Sequence, residues 1–239
     1  MEGVTDRRTV FVTGGTGYVG KALIPALLGR GHTVRVLARP GSEGSVPPGV
    51  EVVLGDALRA ETFAHAIAPA DTLVHLVGTP RPSPLKAAQF QAVDLVSIQA
   101  TVAAATRGSV RHLVYVSVAH PAPVMRAYIA VRQEGEALIR ASGLPATVLR
   151  PWYVVGPGHW WPCVLHPLYA LAEWVPATRA GARRLGLVTR SQLATALVHA
   201  VEHPPAGVCV IDVPAIRGGL RRSDSVAPPR APGVGDPGR

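Results

Sequence analysis

The chain has 239 residues, 48% of them hydrophobic and 16% charged, which supports a large core and excludes a wholly disordered protein. Cys163 and Cys209 form no C-x-x-C pair, which excludes a disulfide scaffold or zinc ribbon. No basic-then-apolar leader and no uncharged run of ~18 apolar residues is present, so the expectation is a soluble, cytoplasmic chain without an integral membrane segment. The net charge of +9 raises nucleic acid as a partner, but Lys21 and Lys86 are the only lysines among 24 cations and no stripe interleaves basic with aromatic residues, so none is expected.

Short β-branched apolar runs alternate with helical patterns from the start. Residues 9–13 predict the first strand and residues 18–29 a helix. Pro25 predicts a kink or break there, because a mid-helix proline costs about 3 kcal/mol. Strands follow at 33–37 and 50–54, a helix at 61–67, a strand at 72–76 and a long helix at 90–107. A strand at 112–116, a helix at 127–141 and a strand at 146–149 complete the series. Most strands lack polar alternation, as in a parallel sheet covered on both faces. The order predicts an α/β fold, a doubly wound Rossmann-type parallel sheet, over residues 1–150. Gly31 and Gly143, each just past a helix, are expected as left-handed helix ends.

Residues 151–176 change texture and carry every tryptophan of the chain: Trp152, Trp160, Trp161 and Trp174. A helix at 191–202 and a strand at 208–213 follow. Residues 151–216 are therefore expected to form a small C-terminal substrate lobe completing the same domain. Residues 217–239 offer little apolar material to offset ordering entropy and are expected to be a disordered tail.

The first strand runs directly into Thr13-Gly14-Gly15-Thr16-Gly17-Tyr18-Val19-Gly20. Gly14, Gly17 and Gly20 have the spacing that permits a tight turn, close backbone approach to a diphosphate, and packing of the helix on the strand. The amides opening that helix then face negative charge, which the helix dipole favours. A strand before the turn and an amphipathic helix after it supply the context such a motif needs.

With Gly55-Asp56, Tyr115-Val116-Ser117, Tyr128 and Arg132 in Y-x-x-x-R, Leu149-Arg150-Pro151 and Gly156-Pro157-Gly158, this turn resembles the extended and atypical short-chain dehydrogenase/reductases. The similarity is greatest to their NAD(P)-binding branch, which includes NmrA-like proteins and relatives of a respiratory complex I accessory subunit. It implies an oxidoreductase acting on a small-molecule carbonyl or alcohol. Two alternatives stay open: a redox-inactive dinucleotide sensor or assembly protein, and a nucleotide-sugar epimerase-like enzyme. The resemblance also implies that Asp56 and Ala57 lie beside the adenine, that Val77 and Gly78 pass its ribose, and that Pro151 turns past the nicotinamide.

Where an NAD site commonly has an acid, at the end of the second strand, this chain has Arg39, which suits a 2′-phosphate. NADP is therefore expected ahead of NAD. Ser117, Tyr128 and Arg132 fall on the family's catalytic serine, tyrosine and lysine. Residues i and i+4 share a helix face, and a cation beside a phenol favours the phenolate, so that Tyr128 can exchange a proton. Arginine in place of lysine keeps the charge but cannot act as a neutral relay.

Trp152, Tyr153, His159, Trp160 and Trp161 follow the Pro151 turn and suggest a bulky, hydrophobic substrate, with core packing or surface association of residues 160–174 as alternatives. His159, Cys163 and His166 have ligand-like spacing, but Pro162 intervenes and a fourth ligand is lacking, so no metal is expected.

Overall fold

A computed structural model describes residues 6–158 and 184–219. Seven strands form one parallel sheet: β1 (Thr9–Thr13), β2 (Thr33–Ala38), β3 (Glu51–Leu54), β4 (Thr72–His75), β5 (His112–Val116), β6 (Ala146–Arg150) and, late in the chain, β9 (Val208–Asp212). Their order is β3-β2-β1-β4-β5-β6-β9. Successive residues of β1 serve opposite layers: Val10 and Val12 pack in one apolar cluster and Phe11 in the other. Both faces are covered, which is why the strands read as unbroken apolar runs. The chain leaves β1 toward β2 on one side and later returns to lay β4 on the other. That reversal puts the topological switch point of the sheet at the carboxyl ends of β1 and β4, the place where open α/β sheets commonly bind ligands.

Helix α1 (Gly20–Gly29) runs through Pro25 without the expected break. Pro25 sits on the exposed face, while Leu23, Ile24 and Leu27 hold the helix on the sheet. Gly31 and Gly143 take the left-handed conformation expected after helices, with φ of 81° and 71°. The helix expected at 61–67 is instead two 3₁₀ turns, Ala60–Thr62 and Ala64–Ala66. There the Thr62 hydroxyl bonds the Arg59 carbonyl at 2.7 Å and competes with regular helix bonding.

The long helix expected at 90–107 begins earlier, as α2 (Ala87–Gln89), passes through a π-helical segment (Phe90–Leu95) and continues as α3 (Val96–Arg107). Helix α4 (Arg126–Ala141) covers the same sheet face. The region after Pro151 is joined to the main core. Strands β7 (Tyr153–Val155) and β8 (Leu187–Thr189) pair in parallel, and α5 (Arg190–Glu202) packs on α1. Strand β9 extends the main sheet beside β6, and α6 (Val213–Gly218) carries order past the residue where the tail was expected to start. The rest of that expected tail, from residue 220, lies outside the described residues.

Candidate cofactor and active site

The turn after β1 is closed by the atoms around it. A Cβ on Gly14, whose φ is 77°, would lie 2.8 Å from the Leu76 carbonyl carbon, and one on Gly15 would lie 2.6 Å from Val36 Cγ1. A Cβ on Gly20 would collide with the Gly15 backbone. Gly17 is different: it is exposed, and only the Gly14 carbonyl oxygen lies near its missing Cβ. The turn is thus packed inward and open outward, with the Gly17 amide bonded to Gly14 at 3.0 Å and Val19 capping α1. Thr16, Tyr18 and Val19 are half-buried along it.

Thr13, at the end of β1, anchors this turn to the opposite helix. Its hydroxyl and that of Thr101 each lie 2.9 Å from His75 Nδ1, and Ser97 Oγ lies 3.3 Å from Nε2. His75 is fully buried. Burial, then the nearby Arg132 charge, pushes its pKa down to about 3, so the ring is neutral.

Arg39 stands exposed just past β2 and forms no ion pair among the described residues. Asp56 is half-buried, and its Oδ1 accepts from the Leu58 amide at 3.0 Å. Ala57 packs at the edge of the second apolar cluster. Val77 and Gly78 follow β4, half-buried, and a Cβ on Gly78 would strike the Arg132 guanidinium. Backbone following β4 therefore touches a side chain of α4.

Arg132 is 5% exposed, and its guanidinium is already committed. Nη2 donates to Asp94 Oδ1 at 2.6 Å and Nη1 to the Val116 carbonyl at 3.0 Å. The other oxygen of Asp94 accepts from the Thr79 amide at 2.9 Å and the Thr79 hydroxyl at 2.6 Å. Burial works against the Arg132 charge, but Tyr128, Tyr115 and Asp94 outweigh it and hold the group protonated. The Tyr128 ring packs 4.9 Å from the ring of Phe90, and the Arg132 Cζ lies 5.1 Å from its centroid. The cation thus lies over the ring, so its effect on Tyr128 combines a cation–π contact with charge.

Ser117 is 3% exposed and donates to Glu136 Oε1 at 2.7 Å. Glu136 also accepts from Arg150 Nε at 2.9 Å and Arg140 Nη2 at 3.1 Å, with His120 Nε2 at 3.4 Å. Burial would raise the Glu136 pKa, but its bonds to Arg150 and Ser117 outweigh that and hold it below the usual carboxylate value. Pro151 is buried beyond β6, and its carbonyl accepts from the Ala119 amide at 2.9 Å.

Sequence reasoning missed Asp94 and Glu136, the two acids that organise these groups. Both had a signal. Phe90, Asp94, Ser97, Ile98 and Thr101 share one helical face, so an acid stands on a core stripe. Tyr128, Arg132 and Glu136 are spaced by four, which stacks them on α4. Trp152 packs against the core with its ring 5.5 Å from that of Tyr153. The other expected aromatics, Trp160, Trp161 and Trp174, and the His159, Cys163 and His166 group lie outside the described residues.

Residues 14–158 match the family model described as NAD(P)H-binding. The chain belongs to this NAD(P)H-binding family. It is 31% identical to the ceramide reductase of Caulobacter vibrioides over 160 residues, 64% of this chain and 49% of that protein. It is 44% identical to the 3-beta-hydroxysteroid dehydrogenase of Mycolicibacterium neoaurum over 71 residues, 30% of this chain and 19% of that one. The chain spans about half the length of the first of these relatives and less of the second. Among solved structures, the Bordetella bronchiseptica enzyme WbmH in complex with NAD+ is similar with a TM-score of 0.64 at 23% identity. The match covers 89% of this chain and 79% of that one and is a likeness of fold. No described helix is long and apolar enough to cross a membrane.

Proposed function

We propose that this chain binds a nicotinamide dinucleotide, NADP ahead of NAD, and carries out oxidation or reduction of a lipophilic alcohol or carbonyl compound. The observation that carries the reading is the turn at Gly14–Gly20, where neighbouring atoms fill the places of three absent Cβ atoms and Gly17 is exposed on the outward side, at the switch point of the sheet. Arg39 supports the 2′-phosphate, since it is a cation without an ion-pair partner among the described residues. Asp56, Ala57, Val77, Gly78 and Pro151 would line the adenine, ribose and nicotinamide parts in turn. The substrate class rests on the relatives named for a ceramide and a 3-beta-hydroxysteroid, both poorly water-soluble, and on Trp152 and Tyr153 beyond the Pro151 turn.

When bound, the dinucleotide supplies or accepts a hydride at its nicotinamide ring. Tyr128 gives or takes the accompanying proton at its hydroxyl. Arg132 holds the Tyr128 ring and contributes positive charge, but its bonds to Asp94 and Val116 make it a positioning residue. Ser117 donates its proton to Glu136, so with that bond in place it can accept from the hydroxyl of an alcohol substrate but has no proton to offer a carbonyl oxygen.

The test is Tyr128→Phe assayed by NADPH oxidation with lipophilic ketones. We expect kcat to fall by about 10²-fold or more with dinucleotide affinity nearly unchanged. Unchanged kcat contradicts the role given to Tyr128. The engagement of Arg132 by Asp94 and of Ser117 by Glu136 favours a second reading, dinucleotide binding without turnover. Tight NADPH binding with no oxidation across ketones, aldehydes, quinones and nucleotide sugars would select it.

A further inference from the structure

Tyr18, in the middle of the glycine turn, is held from the far end of the chain. A Cβ on Gly156 would lie 2.6 Å from the Tyr18 hydroxyl, so the absence of a side chain there is what admits the phenol. The same Cβ would lie 3.2 Å from Cβ of Arg190, the first residue of α5. The Arg190 guanidinium stands over the Tyr18 ring, 5.0 Å from its centroid. Two segments distant in sequence thus converge on one residue of the turn.

Arg190 is half-buried and forms no ion pair among the described residues. The cations nearest the turn in sequence are otherwise disposed: Arg7 and Arg8 precede β1, at its opposite end from the turn, with Arg7 exposed and Arg8 Nη2 donating to the Glu202 carbonyl. Lys21 is exposed on the first turn of α1, and Arg30, at its far end, is paired with Glu202. A dinucleotide's diphosphate carries two negative charges, whereas the turn itself offers amides and a helix dipole equivalent to about half a charge. A fixed guanidinium without an acidic partner at its edge is the complement this arrangement lacks.

We propose that Arg190 is the cation of the diphosphate site, presented to the glycine turn by α5 and steadied by the ring of Tyr18. The contact makes dinucleotide binding depend on the part of the chain after β8, outside the matched family segment. This inference rests on the dinucleotide-binding reading, and its test separates the two.

The probe is ADP-ribose, which has the diphosphate and lacks the nicotinamide, titrated calorimetrically into the wild-type chain, Arg190→Gln and Arg190→Lys at low and high salt. Arg190→Gln is expected to weaken binding about tenfold to a hundredfold and to flatten its salt dependence, with Arg190→Lys recovering part of the loss. Binding equal to wild type in Arg190→Gln overturns the proposal. A readout that needs no variant is modification of wild-type arginines by phenylglyoxal, followed by peptide mass spectrometry. Saturating ADP-ribose is expected to protect Arg190 and adenosine to leave it reactive. Equal labelling with and without bound ADP-ribose overturns the role of Arg190 alone, whereas failure of the wild-type chain to bind any dinucleotide overturns the underlying reading as well.

Discussion

Around the carboxyl end of β1 the candidate site is made of backbone, whereas around the carboxyl end of β5 it is made of paired charges. On the first side, Gly14, Gly15 and Gly20 act by what they lack, and their constraints come from atoms within a few ångströms. On the second, Asp94 holds Arg132, and Glu136 gathers Ser117, Arg140 and Arg150. A backbone-built site tolerates little substitution but needs few partners. A charge-built site depends on every member, because removing one leaves a buried charge exposed to its full desolvation cost.

The largest effect should come from breaking the charged side. Asp94→Ala leaves the Arg132 guanidinium buried without its carboxylate and is expected to cost about 3–5 kcal/mol in urea denaturation. The double variant Asp94→Ala/Arg132→Met should recover a substantial part of that loss. Equal stability of the single variant and the wild type would show that the pair is not the keystone of this side.

The backbone side is probed by Gly14→Ala. Positive φ and the approach of Leu76 both oppose a methyl group, so about 2–3 kcal/mol of stability and the response of NADPH fluorescence on binding should be lost together. A variant that folds and binds as before would mean the turn is looser than its contacts imply.

Acidification tests the link between the two sides, His75. Its folded pKa, about 3, lies below the ordinary 6.5, so the unfolded chain takes up the proton first. The stability this contributes is fully present above pH ~6.5 and is lost as pH falls from there toward ~3. Moving from pH 7 to 5 should cost about 2 kcal/mol from this group. His112, pushed down to about 4 by burial and then the Arg8 charge, adds a loss of the same sign. A flat urea midpoint over that range would contradict the buried neutral state.

The smallest expected effect is on cofactor choice. Arg39→Ala should weaken NADPH binding about tenfold, roughly 1.4 kcal/mol, and leave NADH binding unchanged. Equal loss for both would remove Arg39 from the 2′-phosphate.

The same contrast explains what the sequence made legible. The six strands expected through residue 149 all exist within a residue or so of their expected bounds: the inner ones because strands buried on both faces carry their signal in composition alone, and β3, at the sheet edge with only Val53 buried, through its β-branched run. The glycine turn was legible because its constraint is local. The β7–β8 pair was not, since each strand depends on a partner far along the chain, and neither was the π-helical turn at Phe90–Leu95, whose Asp94 meets its partner Arg132 only in the fold. Tyr128 and Arg132 were identified by spacing, but the direction of the guanidinium was set by Asp94, 38 residues away. Pro25 shows the converse for one of the two expected outcomes: the helix is not broken there, the local penalty being offset by three buried neighbours that hold α1 on the sheet.

In our reading the turn leaving β1 receives the diphosphate of a nicotinamide coenzyme. Isothermal titration of the folded chain with NADPH and NADH tests it most directly. Saturable heat with both and tighter binding of NADPH are expected, while folded protein that gives no heat with either coenzyme would leave the turn without that role.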